Sequence, residues 1–360
     1  MRDNLRLYKR IDEHMHRFLP RLRLTRRRNL VLLMTGLFLS RSVHLSHIVR
    51  KWPVAGRLTS LTNRLRRFLD NPRLDVVQLY RPLAALLIER FDGTETPLRL
   101  ILDVTKLGRN HRLFSVSLAY RRRALPLAWS VHRGRKGSVS VEAQQTLLEQ
   151  IRPLIAPKQA VVVLGDSAFG QVGLMRYLTA QGWDFVLRCG GHCQVRLHEQ
   201  APWQKLLAMG LAPGQTRYVG AVSFTEKHAY AGVFLAMHWA AGEAEPWYLI
   251  SSRPVSHQTL RLYGRRMWTE ELYGDLKGHG FDLEATHLAE SQRLERLVLG
   301  VSLVYVWLIA LGSQVVKRGL RYLVDRRARR DKSYFRIGWD YLEHRLRLGE
   351  PIPVQFSPYP

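Results

Sequence analysis

Apolar residues recur at helical spacing in four segments of the first 95 residues, Leu30–Leu39, Val43–Lys51, Leu58–Leu69 and Leu74–Phe91, punctuated by Pro53, Gly56 and Asn71-Pro72. From Leu98 the period changes. Leu98–Asp103 reads as a short apolar strand, and Leu113–Tyr120 and Ala124–Val131 alternate as two arms of a hairpin across Arg121-Arg122-Arg123. Val141–Ile155 reads as a helix, and Ala160–Leu164 as a β-branched buried strand ending at Gly165-Asp166. Gly170–Gln181 is then a helix and Trp183–Arg188 a further strand, before short alternating segments such as Arg217–Phe224 and Tyr230–His238. Leu297–Val316 carries no formal charge and is long enough to cross a bilayer. It contains Gly300, Ser302, Gly312, Ser313 and Gln314 and follows the charged stretch Glu290–Arg296, so a buried core helix is the preferred reading over a membrane span.

Three strands, helix, strand, helix, strand is the order of a ribonuclease H-like α/β core. In that topology the first and fourth strands lie side by side, so Asp103 and Asp166, each ending its strand, emerge at one edge of the sheet. Ligands bind at such carboxyl ends.

Composition narrows the partner. A formal charge of +27 on 360 residues, with arginine dominant, marks a polyanion, most simply nucleic acid; a membrane surface is the weaker alternative. Residues 1–95 hold 20 Lys or Arg against 8 Asp or Glu, which favours a helical DNA-binding domain over an ordinary bundle with a basic face. No secretory signal opens the chain: residues 1–28 alternate Arg, Leu and acidic residues, and the uncharged run Asn29–Ser40 is too short to span a bilayer. Cys189 and Cys193 stand with His192 and His198 nearby; the spacing is compressed for zinc, and a glycine turn explains the run equally well.

The pattern with most chemical content is Tyr263, Arg266, Glu270 and Lys277, in the spacing Y-x2-R-x3-E-x6-K. At 100° per residue these side chains fall within roughly 60° on one helix face. Such a stripe suits a metal ion held against a phosphate backbone, with Glu270 on the metal and Arg266 and Lys277 on phosphates; the alternative is a solvated ion-pair ladder. Leu262, Leu272, Tyr273 and Leu276 project from another side and can face the sheet, leaving the stripe free. With Asp103 and Asp166, Glu270 completes three oxygen donors suited to two magnesium ions about 4 Å apart. Glu271 and Asp275 leave the stripe and are expected to be solvated or paired with Arg265 and Lys277, while Asp184, Asp282 and Glu284 have no partner pattern. Thr105 reads as a phosphate or metal-water ligand or, more commonly, a turn residue, and Lys106 and Arg109 as DNA contacts of low specificity.

Asp103-Val-Thr105, Gly165-Asp166-Ser167-Ala-Phe169 and the Tyr263-to-Lys277 pattern resemble the three catalytic blocks of a DDE transposase of insertion sequence family four, whose mark is the Y-R-E-K signature. The resemblance covers about half the chain, from Leu98 to about Val316. It implies a cut-and-paste DNA transposase that binds terminal inverted repeats, cleaves the ends by metal-dependent hydrolysis and transfers the 3′ hydroxyls to target DNA. Asp103, Asp166 and Glu270 would be catalytic and bind metal, two Mg2+ with Mn2+ as a substitute. Tyr263, Arg266, Lys277 and Trp247 would bind DNA. Trp247 is similar to a family tryptophan that stacks on a flipped base; a core tryptophan is the alternative, and Trp203 and Trp239 lack that sequence context.

The implied fold class is α/β, a ribonuclease H-like core with a β-rich insertion between the second Asp and the Glu, preceded by a helical N-terminal DNA-binding domain. The expected domains are 1–95, helical and basic; 96–189 with 254–316, catalytic; 190–253, the insertion; and 317–360, a basic C-terminal segment. Expected partners are double-stranded DNA, both element ends and target, and a second copy of the chain in a synaptic homodimer, with no membrane. The expected location is the bacterial cytoplasm, at the nucleoid. The alternative function is a host-adapted, non-mobile DNA-binding protein that keeps the transposase fold.

Overall fold

The computed structural model describes residues 3–91, 96–134, 139–326 and 330–359. Five helices come first: α1 (Asp3–Phe18), α2 (Leu24–Ser40), α3 (Leu45–Arg50), α4 (Leu58–Asp70) and α5 (Val76–Glu89). α3 and α5 fall within the segments expected from periodicity and α4 runs one residue past its own, whereas α2 starts six residues before Leu30 and α1 lies outside all four expected segments. α5 starts where the Asp75 carboxylate caps the Gln78 amide at 3.0 Å rather than at Leu74.

A ten-stranded sheet follows. Its strands are β1 (Leu98–Leu107), β2 (His111–Tyr120), β3 (Arg123–Arg133), β4 (Val161–Gly165), β5 (Asp184–Cys189), β6 (Gln194–Arg196), β7 (Gln204–Lys205), β8 (Thr216–Phe224), β9 (Tyr230–His238) and β10 (Trp247–Ser251). Their order across the sheet is β3-β2-β1-β4-β5-β10-β9-β8-β6-β7. β1, β2 and β3 are antiparallel neighbours, whereas β4 pairs parallel with both β1 and β5. β4 is buried along its whole length, as an all-apolar parallel strand must be. The two parallel crossovers carry α6 (Val141–Ile151) and α7 (Val172–Ala180). α6 stops short of Ile155 because Pro153 diverts the chain into a 3-10 turn. Strands β6 to β10, from the 190–253 stretch, continue this one sheet through the β5–β10 pairing.

Past the sheet come α8 (His257–Tyr263), α9 (Trp268–Leu276), α10 (Ser291–Lys317) and α11 (Tyr334–Arg347). α10 contains the uncharged run, and 94% of its most apolar stretch lies inside the fold, so the core-helix reading holds. It touches α2, α4, α5, α11 and β3, which joins the N-terminal helices and the sheet in one apolar core. At the α10–α11 crossing Gly312 and Gly338 bring the two backbones together. A Cβ on either would overlap a carbonyl of the other helix, Tyr334 or Leu308 respectively. The C-terminal stretch then returns along the N-terminal helices: the Pro353 carbonyl accepts from Trp307 Nε1 at 3.0 Å, and Phe356 packs on Phe18 at 4.9 Å between ring centroids.

Candidate active site

The parallel register of β1 on β4 runs from Leu98 opposite Val161 to Leu102 opposite Gly165, so the next pair in line is Asp103 and Asp166. β4 ends there. β1 does not, because its pairing with β2 continues to Leu107; Asp103 lies within a strand, at the point where its β4 neighbour turns away. Thr105 is likewise a strand residue rather than a turn residue. Asp166 opens a tight turn in which its own Oδ1 accepts from the Ala168 amide at 2.9 Å. Gly165 permits that turn, since a Cβ would stand 2.8 Å from Phe169 Cβ.

Asp103 is 6% exposed. Its Oδ2 accepts from the Thr269 hydroxyl and faces Arg266 Nη1 at 3.4 Å, and its Oδ1 accepts from the Val104 amide at 2.8 Å. Burial pushes this carboxyl up to about 6; Thr269 and Arg266 pull it back, and the Asp166 charge adds to the rise. A buried acid with another acid beside it is a place that favours a cation.

The segment carrying the Y-R-E-K spacing is not one helix. α8 is capped by Ser256 and ends at Tyr263, residues 264–267 form a 3-10 turn, and α9 ends at Leu276, with Lys277 at φ −96°, ψ −126°. The four side chains therefore do not share a free face. Tyr263 is buried, with its phenol pushed up to about 12 by burial, and its ring meets Trp247 edge-on at 4.9 Å. Arg266, 13% exposed, spans from Asp103 to Glu270 Oε1 at 3.1 Å. Glu270 is 55% exposed at the start of α9. Lys277 donates to Thr105 Oγ1 at 2.8 Å and pairs with Glu284 at 2.7 Å. The tighter 3-10 turn and the close of α9 thus aim Arg266 and Lys277 at neighbouring points of β1, Asp103 and Thr105.

Several expected partners differ. Glu271 and Asp275 both meet Arg123 of β3, at 2.7 and 3.1 Å, rather than Arg265 and Lys277. Asp275 is 4% exposed, and burial pushes its carboxyl up to about 7, with Arg123 opposing and Glu271 adding to the rise. Arg265 instead lies over the Trp268 ring. Asp184 and Glu284, which had no expected partner, pair with Arg253 and Lys277. Trp203 sits under Arg196, and Trp239 donates to the Glu243 carbonyl at 2.8 Å. Lys106 and Arg109 are exposed at the β1–β2 turn. Thr269 and Arg123 are the residues sequence reasoning missed. Neither belongs to a spacing pattern; only their neighbours in space give them a role.

Among the described residues no three His, Cys, Asp or Glu side chains form a metal-binding group, and this holds for Cys189, Cys193, His192 and His198 as well. Glu270 reaches Asp103 only through Arg266. The donor chemistry nevertheless fits a hard divalent cation, because Arg266 already occupies a cationic position against Asp103 and Glu270.

A buried Asp103 with a half-buried Asp166 beside it, in so basic a chain, is the site of a protein that handles a polyanion. Residues 94–307 match the model of the transposase DDE domain, and the chain belongs to that family of DNA transposases. Members of the family generally use divalent metal ions. No curated protein sequence matches the chain. Among solved structures, the cryo-EM synaptic complex of piggyBac transposase with hairpin DNA aligns over 90% of this chain and 72% of its own, at 12% identity and a TM-score of 0.46.

Proposed function

We propose that the chain is a cut-and-paste transposase of the insertion-sequence-four kind. On this reading the β3-β2-β1-β4-β5 half of the sheet is a ribonuclease H-like core and residues 190–253 are the insertion that widens it. The observation that carries the reading is the register of β1 on β4, which sets Asp103 beside Asp166 beneath the 3-10 turn bearing Arg266 and the start of α9 bearing Thr269 and Glu270. Asp103, Asp166 and Glu270 would hold two Mg2+, or Mn2+ in their place. When bound, the ions stabilise charge on the phosphate and activate a water or a 3′ hydroxyl.

The protein's own groups divide the rest. Thr269 fixes the Asp103 carboxylate by donating to Oδ2. Arg266 holds Asp103 and Glu270 as a counter-cation and would turn to a phosphate were a cation to take that position. Lys277 supplies a second positive charge beside Thr105. Tyr263 backs the Trp247 ring, which is only half-buried and so retains a face for a base at the cleaved end. Two copies of the chain would pair the two inverted repeats, and release through a hairpin on the element end is the route we favour.

A donor plasmid carrying the repeats that bracket the coding sequence tests the proposal. Excision by the unaltered chain, lost in Asp166→Asn, is expected. Binding to those repeats with no metal-dependent nicking would overturn it in favour of a non-mobile DNA-binding protein.

A further inference from the structure

Arg99 lies four residues before Asp103 in β1 and so on the same face of the sheet. It opens into a separate cleft of about 730 Å3. The floor of the cleft is the strand row Arg99, Val162 and Asp184, adjacent in register, and its roof is α8 with the 3-10 turn that follows, which contribute Arg261 and Arg265.

The charges do not balance. The lining holds four arginines, Arg99, Arg253, Arg261 and Arg265, against one carboxylate, Asp184. That carboxylate is already taken, by Arg253 at 2.8 Å and the Ser252 hydroxyl at 2.9 Å. Arg99, Arg261 and Arg265 have no acidic partner among the described residues, and Arg265 makes only a stacking contact, with Trp268. Arg99 Nε is buried with no hydrogen-bond acceptor. A buried donor left unmet is costly, and the side chain that carries it lines a polar cleft. Burial and the nearby Arg265 charge also hold the Arg99 guanidinium below its ordinary range, a strain that an anion between them would relieve.

We infer that this cleft grips a backbone phosphate of the same nucleic acid whose other phosphate reaches Asp103, with Arg99, Arg261 and Arg265 as the phosphate ligands. The inference rests on the DNA-acting reading above and adds to it a second, non-scissile anchor. At about 3.3 Å per strand residue, Arg99 stands about 13 Å from Asp103. That separation corresponds to about four base-pair rises of ~3.4 Å, so one duplex can occupy both places. Anchoring a phosphate there fixes the register of the strand that enters the acidic pair without reading its sequence.

The test is the salt dependence of binding to a duplex of arbitrary sequence. Each phosphate neutralised contributes about 0.9 to the slope of log affinity against log salt. Arg99→Gln/Arg265→Gln, which releases that one phosphate, is expected to flatten the slope by about 0.9, and Arg261→Gln, at an exposed position, by up to the same amount; if the double variant fails to fold, Arg261→Gln carries the test. Arg152→Gln, at a surface arginine paired with Glu149, should leave the slope unchanged. Titration with inorganic pyrophosphate separates sources: loss of pyrophosphate binding with an unchanged duplex slope would make this a small-anion site and overturn the inference. Unchanged slopes in folded variants whose parent binds and nicks DNA would overturn the inference alone. Failure of the parent to bind any duplex would overturn it together with the proposed function.

Discussion

Asp275 offers a quantitative check on the packing beneath the site. It is 4% exposed on α9 and faces Arg123 Nε at 3.1 Å, yet the two atoms are not aligned for a hydrogen bond, and each lacks another partner. The ion pair therefore recovers only part of the desolvation cost, and the carboxyl is pushed from 3.8 to about 7. The folded state thus holds this proton more tightly than the unfolded chain. The stability it contributes is fully present below the unfolded value and is lost as pH rises through about 7. A displacement from 3.8 to about 7 is worth at most about 4 kcal/mol at about 1.4 kcal/mol per pH unit. Urea unfolding of the parent and of Asp275→Asn at pH values from 4 to 8 should give curves that diverge, the parent losing up to that amount relative to the variant. Asp103, displaced in the same direction, affects both proteins alike and cancels in the difference. Parallel curves would refute the assignment of a strained, buried Asp275.

Three further outcomes follow from the same contacts. Glu271→Gln removes only the exposed arm of the Arg123 pair and should change stability by less than about 1 kcal/mol in urea unfolding. Gly338→Ala forces α11 away from α10 at the Leu308 carbonyl and should cost about 1–3 kcal/mol, read as a lowered thermal midpoint. Thr269→Val leaves the buried Asp103 carboxylate without its hydroxyl donor, and should raise the magnesium concentration for half-maximal cleavage about 10–100-fold at unchanged folding.

The parts legible in the sequence are those whose cause is local. The Val161–Gly165 run is all apolar because the strand is covered on both faces, and the hairpin across Arg121 and Arg122 was readable from alternation on both sides. The uncharged stretch of α10 was readable as core from its small and polar interruptions, and the core is where it lies. What spacing could not give was direction. An ideal helix through Tyr263–Lys277 projects four side chains to one side, but the 3-10 turn at 264–267 carries Arg266 over Asp103 while Tyr263 sinks beneath Trp247. Arg123 is 148 positions before Glu271, and no periodicity links residues paired by tertiary packing alone. The end of β1 was misplaced for the same reason: strand length is set by the partner, and β2 outlasts β4.

On the proposed function Asp103, Asp166 and Glu270 act together and the adjacent Glu271 does not. The most direct measurement is magnesium-dependent nicking of a duplex bearing the element's own end by Asp103→Asn, Asp166→Asn, Glu270→Gln and Glu271→Gln, with duplex binding followed in parallel. The first three are expected to bind but not to cut, and Glu271→Gln to cut at close to the parent rate. Cleavage retained by Glu270→Gln, or lost in Glu271→Gln with its fold intact, would contradict the proposed function.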